Sequence, residues 1–259
     1  MKFGCCTDVR NYEELVACGY DFIELSGHAA SVMEEQNWKE FVKRVEGTGI
    51  PCIGFNDYCH GEPAVVGERF DPAAVRDYAQ RLLDRGAQVG IQNVGIGAPL
   101  ARRLPEGYSM ERADEQCVRF LEITTEEAAK RGIRVLFEAV HANMCNYATL
   151  TEDAVRLIRA VGAENLFMVL DFYHMEVMGE DRLDIERYMP LIRHLHYSTC
   201  GEGYSRGYPT EEHRSDLQAI LKRVQALGYH GSFSLEAPTM DFAGEATRAL
   251  TILRQAAEA

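Results

Sequence analysis

Eight short apolar runs, each followed by a longer stretch of helical periodicity, restrict what this chain can fold into more than any other feature. The runs are KFGCCT (2–7), FIELS (22–26), PCIGFND (51–57), GIQNVGIG (90–97), RVLFEAV (134–140), LFMVLDF (166–172), IRHLHYS (192–198) and SFSLEA (232–237). They are rich in β-branched and aromatic residues, as strands are. Between them lie helix-like stretches such as 38–47, 71–86, 110–132, 151–162 and 214–228. Eight β-α units in 259 residues predict an α/β fold, a (β/α)8 TIM barrel spanning 1–259 as one domain, since such barrels take roughly 250 residues. An open doubly wound sheet would usually carry a Gly-rich phosphate loop after its first strand. Here CCTDVRNYEE follows the first strand instead.

The punctuation fits. Asp71-Pro72 pairs an N-cap with proline at the first helical position. Thr151-Glu152-Asp153 opens a helix with acidic residues, which suit its positive end. Gly86, Gly132, Gly162 and Gly228 are expected to stop helices. Trp38, within a helix-like stretch, is expected to pack.

Four of the later runs carry a metal-type ligand at or near their ends: Glu138, Asp171, His196 and Glu236, separated by 33, 25 and 40 residues. In a parallel barrel the C-terminal strand ends ring one mouth, so these groups are expected to meet there. Three carboxylates and an imidazole suit Mn²⁺, Mg²⁺, Co²⁺ or Zn²⁺, and converging carboxylates need a cation or protons to coexist. A closed structural zinc site would more often use cysteines. His174, three residues after Asp171, is expected to face the same mouth as a substrate contact or a further ligand.

Composition narrows the classes. A net charge of -13 disfavours nucleic acid as a partner, which calls for clustered Lys and Arg. Arg102-Arg103 comes nearest to a cationic cluster and reads equally as solvated. No run of about 18 apolar residues exists, so no membrane span is expected. The N-terminal residues lack a signal-peptide core and the eight cysteines form no CxxC pair. Reduced thiols and a cytoplasmic location are therefore the expectation, with Cys5, Cys6 and Cys52 as small core residues.

Glu138, Asp171-x-x-His174-Met175, His194-x-His196, Arg206-Gly207-Tyr208-Pro209 and Glu236 together resemble the xylose-isomerase-like barrels. The resemblance is greatest to their sugar isomerase and epimerase branch, of the D-tagatose 3-epimerase and hydroxypyruvate isomerase kind. It implies a divalent-metal-dependent sugar isomerase or epimerase. One divalent ion, most often Mn²⁺, would be held by Glu138, Asp171, His196 and Glu236. Glu138 and Glu236 would be the acid-base pair, moving a proton beside a carbonyl through a cis-enediolate. His174 and Arg206 would hold substrate oxygens, and His60, Glu24 and His141 are further candidates to contact a small sugar or keto-polyol. A homo-oligomer is compatible with this reading.

Two departures from that branch concern the substrate side. Its second glutamate, six residues after the first, is Met144 here, and the segment from His196 to Arg206 is longer. A dehydratase or C-glycoside-cleaving lyase on the same metal centre is the alternative. An apurinic endonuclease of the same barrel type is a remote one, since it would need further His and Asp ligands after other strands. A non-catalytic sugar-binding or partner-binding barrel would be expected to have lost one of the two glutamates.

Overall fold

Alternating strands and helices close on themselves. The structure, a computed structural model, describes residues 1–239 and 241–258. The barrel strands are β1 (Lys2–Thr7), β2 (Phe22–Ser26), β3 (Cys52–Asn56), β4 (Asn93–Ile96), β5 (Arg134–Phe137), β6 (Leu166–Asp171), β7 (Ile192–Tyr197) and β10 (Ser232–Leu235). All pair in parallel, in the closed order β1-β10-β7-β6-β5-β4-β3-β2. A two-stranded antiparallel hairpin, β8 (Thr199–Cys200) and β9 (Arg206–Gly207), is inserted after β7. The helices among the described residues are α1 (Tyr12–Cys18), α2 (Gly27–Val32), α3 (Glu35–Thr48), α4 (Pro72–Gln88), α5 (Met110–Ala129), α6 (Thr151–Val161), α7 (Phe172–Val177), α8 (Arg214–Ala226) and α9 (Phe242–Glu258). None is long and apolar enough to cross a membrane.

Local chemistry accounts for the helix ends. Asp71 accepts a hydrogen bond from the Ala73 amide at 2.9 Å, with Pro72 opening α4. Asp153 accepts from the Leu150 amide at 3.0 Å at the start of α6, and Gly162 closes that helix in the left-handed region. Gly86 departs from expectation. It lies inside α4, which runs on to Gln88, and the turn falls at Gly90 with φ 78°. Gly86 is there for space, because a Cβ would meet the Ile91 side chain at 2.4 Å.

Helix faces pack on the barrel's outer surface. Trp38 and Phe41 of α3 are wholly buried, and the Trp38 ring meets Phe55 of β3 edge-on at 6.4 Å. Buried Glu127 on α5 ties that helix to α4, accepting from Arg76 at 2.6 Å and from Lys130 at 2.7 Å. The inside of the barrel is different in character. Cys6, Glu24, His194, His196 and Ser234 are all buried there.

At the lower end the barrel wall is tight. Gly4 of β1 pairs with Phe22 of β2, and a Cβ on Gly4 would sit 2.0 Å from the buried Phe22 ring. Gly4→Ala is therefore expected to destabilise the fold by about 1–3 kcal/mol, despite the better strand propensity of alanine. Guanidinium unfolding checks this, and an unchanged midpoint would contradict it.

Candidate active site

Strand ends build the site. Asp171 is the last residue of β6, and His196 lies opposite it in the β6–β7 register. Glu138 follows β5 directly, its amide bonded to the Ile96 carbonyl at 3.1 Å. Glu236 follows β10, its amide bonded to the Tyr197 carbonyl at 3.0 Å. The ligand atoms of Glu138, Asp171, His196 and Glu236 all lie within 4.8 Å of one another. His196 Nδ1 stands 3.6 Å from Glu138 Oε1 and 3.4 Å from Glu236 Oε2.

Two features show that a cation fits this set. First, His196 Nδ1 and Glu138 Oε1 are buried and have no hydrogen-bond partner among the described residues. Second, the nearby charges do not balance. Three carboxylates face one guanidinium, Arg206, whose Nη2 contacts Asp171 and lies 2.9 Å from Glu236 Oε2. Three minus one leaves two negative charges, which a divalent ion neutralises. The donor set of three oxygens and one imidazole nitrogen suits Mn²⁺, Mg²⁺, Co²⁺ or Zn²⁺.

Without a cation the site divides its protons unevenly. Burial pushes the Glu138 carboxyl up, helped by the charges of Glu236 and Asp171 and opposed by His196. Burial also works to raise Glu236, but Arg206 and His196 beside it hold it below the ordinary carboxylate range. Burial works against charge on His196, yet the Glu24 carboxylate 3.4 Å from its Nε2 carries its pKa above the usual imidazole value. A proton on that ring would do part of a metal's electrostatic work.

Beneath His196 lies a buried polar column. Its Nε2 is 3.4 Å from Glu24 Oε2 and 3.9 Å from Cys6 Sγ. Glu24 also accepts from the Ser234 hydroxyl and has His194 Nε2 at 2.6 Å from Oε1. Burial works against its charge, but the two imidazoles hold Glu24 ionised well below the ordinary range. Strand β2 does not adjoin β7 in the barrel order, so this contact crosses the interior. A carboxylate on one imidazole nitrogen leaves the other to coordinate, and sets the ring's orientation.

The mouth opens into a cavity of about 510 Å³. His174, His196, Arg206, Glu138 and Glu236 line it, and so does His60 at the rim. His174 is buried, with Nε2 3.6 Å from Asp171 Oδ2. Its Nδ1 accepts from the His141 amide at 3.4 Å, which puts the ring proton on Nε2. Burial pushes its pKa down to about 3, so it is a neutral donor. Arg206 arrives on β9. Its Nε donates to Ser198 Oγ at 2.9 Å and its guanidinium lies 4.4 Å from the Tyr173 ring centroid. The long segment after His196 is thus the hairpin that delivers Arg206. His60 is exposed, stacks on His28 at 3.9 Å and is 2.9 Å from Asp57.

The other candidates lie elsewhere. Glu24 sits in the column below, not among the residues lining the cavity. His141 is buried behind His174, ring centroids 5.1 Å apart, and does not line the cavity either. Arg102 is not solvated: it is wholly buried, its guanidinium over the Phe137 ring at 5.2 Å. Arg103 does reach the cavity wall and donates to the Met144 carbonyl at 3.0 Å. Three further residues shape the site. Asn56 donates to Glu236 Oε1 at 3.1 Å, and His194 braces Glu24. Gly97 makes room, since a Cβ there would meet Glu138 Oε2 at 2.6 Å. The period-two spacing of His194 and His196 was the signal that both face inward.

A closed parallel barrel with such a carboxylate–imidazole mouth defines a class, and the comparisons agree. Residues 12–258 match the xylose isomerase-like TIM barrel family, and the chain belongs to it. It is similar to hydroxypyruvate isomerase of Escherichia coli, 24% identical over 89% of this chain and 88% of that protein. An inosose isomerase of Halalkalibacterium halodurans is 30% identical, over 46% of this chain and 45% of that one. D-psicose 3-epimerase from Clostridium cellulolyticum H10 superposes with a TM-score of 0.82 at 17% identity, covering 100% of both chains. The IOLI protein, in a structure with a zinc atom, superposes with 0.71 at 16% identity over 99% and 96%. The curated relatives are isomerases and epimerases, which supports an isomerase-type enzyme.

The column generates one expectation. Glu24→Gln should weaken binding of Mn²⁺ about 10–100-fold, because the carboxylate that orients His196 is lost. Titration calorimetry with MnCl2 reads this, and unchanged affinity would contradict it. A second concerns space: Gly97→Ala should push Glu138 aside and lower turnover at least about tenfold while the protein stays folded. Steady-state rates and circular dichroism together check it.

Proposed function

We propose that this chain is a divalent-metal-dependent isomerase or epimerase of a small sugar, keto-acid or keto-polyol, with Glu138 and Glu236 as the acid-base pair. One observation carries the reading: both carboxylates approach the same imidazole nitrogen, His196 Nδ1, from different strands. Two proton carriers there would flank a substrate seated in the mouth.

When bound, a divalent ion would supply Lewis-acid polarisation of adjacent carbonyl and hydroxyl oxygens. The remaining work falls to the chain. Glu236 is held by Asn56 on one oxygen and Arg206 on the other, so its orientation is set before substrate arrives. It is the more acidic of the pair, and burial keeps Glu138 the more basic. That separation suits a relay in which one carboxylate takes the proton beside the carbonyl and the other returns one. Return to the opposite face of the same carbon is epimerisation, and return to the neighbouring carbon is isomerisation. Both pass through a cis-enediolate. The neutral Nε2–H of His174 and the guanidinium of Arg206 would donate to its oxygens as charge develops. Leu100, Val140 and Met144 line the cavity as apolar wall that limits water.

The test is solvent exchange. Ketoses, keto-acids and keto-inositols are incubated with the Mn²⁺-loaded protein in heavy water and followed by proton NMR. A substrate should lose its signal beside the carbonyl. Glu236→Gln should slow that exchange by about 10²–10⁴-fold. Exchange at the parent rate in the variant would remove Glu236 from the acid-base pair.

A further inference from the structure

The opposite end of the barrel holds a second cavity, also about 510 Å³, built on the N-terminal ends of the strands. Lys2, Asn93 and Arg134 are the first residues of β1, β4 and β5, and Arg193 is the second residue of β7. All four line the cavity, together with His230 and Asp21. Its volume lies within the roughly 300–1,000 Å³ of small-molecule sites.

The cavity gathers several basic side chains against one acid. The chain as a whole carries 40 acidic against 27 basic residues. Arg76, Arg131, Arg156 and Arg182 are all in ion pairs. Among the described residues, Lys2, Arg134 and Arg193 are in none. The cavity's single acid, Asp21, accepts the Phe3 amide at 2.8 Å.

Arg193 is held in place. Its Nη1 donates to the Pro190 and Ile192 carbonyls at 3.0 and 2.9 Å, and its guanidinium lies 3.9 Å from the Phe167 ring centroid. Arg134, half-buried, has its pKa lowered by burial and by the charge of Arg193. Two like charges, partly desolvated and without a counter-ion, are a cost that a bound anion would remove.

We infer that this cavity is a binding site for a small, multiply charged oxyanion, with the Arg134 and Arg193 guanidiniums as the central contacts and Lys2 and His230 at the edge. Guanidinium forks suit both phosphate and carboxylate oxygens. The ligand class is therefore a phosphate ester or a polycarboxylate. The site is separate from the mouth, where Glu138 and Glu236 stand at the other ends of the strands.

Titration calorimetry on the full chain tests this, with inorganic phosphate in one arm and citrate in the other, at matched ionic strength in chloride. At least one should bind saturably. Phosphate alone would assign a phosphate ester, and citrate alone a polycarboxylate. Arg134→Gln/Arg193→Gln should weaken binding at least about tenfold, the loss expected for charge-assisted hydrogen bonds. Glu138→Gln/Glu236→Gln should bind like the parent. If the arginine double variant does not fold, Lys2→Gln/His230→Gln replaces it, with a smaller loss expected. No saturable binding in either arm would overturn the site. So would parent-like affinity in the basic-residue variant, or binding lost in the mouth variant.

Discussion

Three carboxylates held against one imidazole nitrogen set the terms for everything around them. Glu138, Asp171 and Glu236 would repel one another in a buried mouth, and Arg206 offsets only part of that charge. Without a cation, burial and the neighbouring charges push the Glu138 carboxyl up, and the buried Glu24 carboxylate pushes the His196 imidazole up. A divalent ion would relieve both effects at once. The barrel makes such a costly arrangement sustainable. Each ligand stands at or beside a strand end, and parallel hydrogen bonding to neighbouring strands fixes its position.

The support runs downward as well as sideways. Glu24, His194, Ser234 and Cys6 fill the barrel interior with polar groups where such barrels usually hold branched apolar side chains. These groups converge on Glu24 at the centre. Through His196 the column reaches the mouth and leaves Nδ1 as the free donor. Glu24 therefore acts on the site through another residue: it lies in the middle of β2, below the level of the strand ends that carry the mouth residues.

The sequence carried the architecture clearly, because strand and helix periods alternate and caps such as Asp71-Pro72 and Gly162 mark the helix ends. The four mouth residues were legible for the same reason: a parallel barrel gathers strand ends. What escaped was whatever depends on pairing across the barrel. Nothing in the local sequence of Glu24 distinguishes a wall residue from a buried brace, and nothing around His141 says that His174 covers it. Arg102 looked solvated beside Arg103, yet only packing under Phe137 decides that it is buried. Gly86 read as a helix stop because a glycine's need for space and its need for a turn look alike in one dimension.

The two ends of the barrel also differ in a way that composition hides. A chain with net charge -13 keeps unpaired cations at its lower end and concentrates negative charge at its mouth. The mouth is the part on which the functional reading stands, and its central claim is that these four side chains hold one cation. Diffraction from crystals soaked in MnCl2, recorded at the manganese edge, tests this directly. The account predicts a strong anomalous peak in contact with Glu138, Asp171, His196 and Glu236. An empty mouth at saturating metal, or a peak bound by other residues, would contradict it.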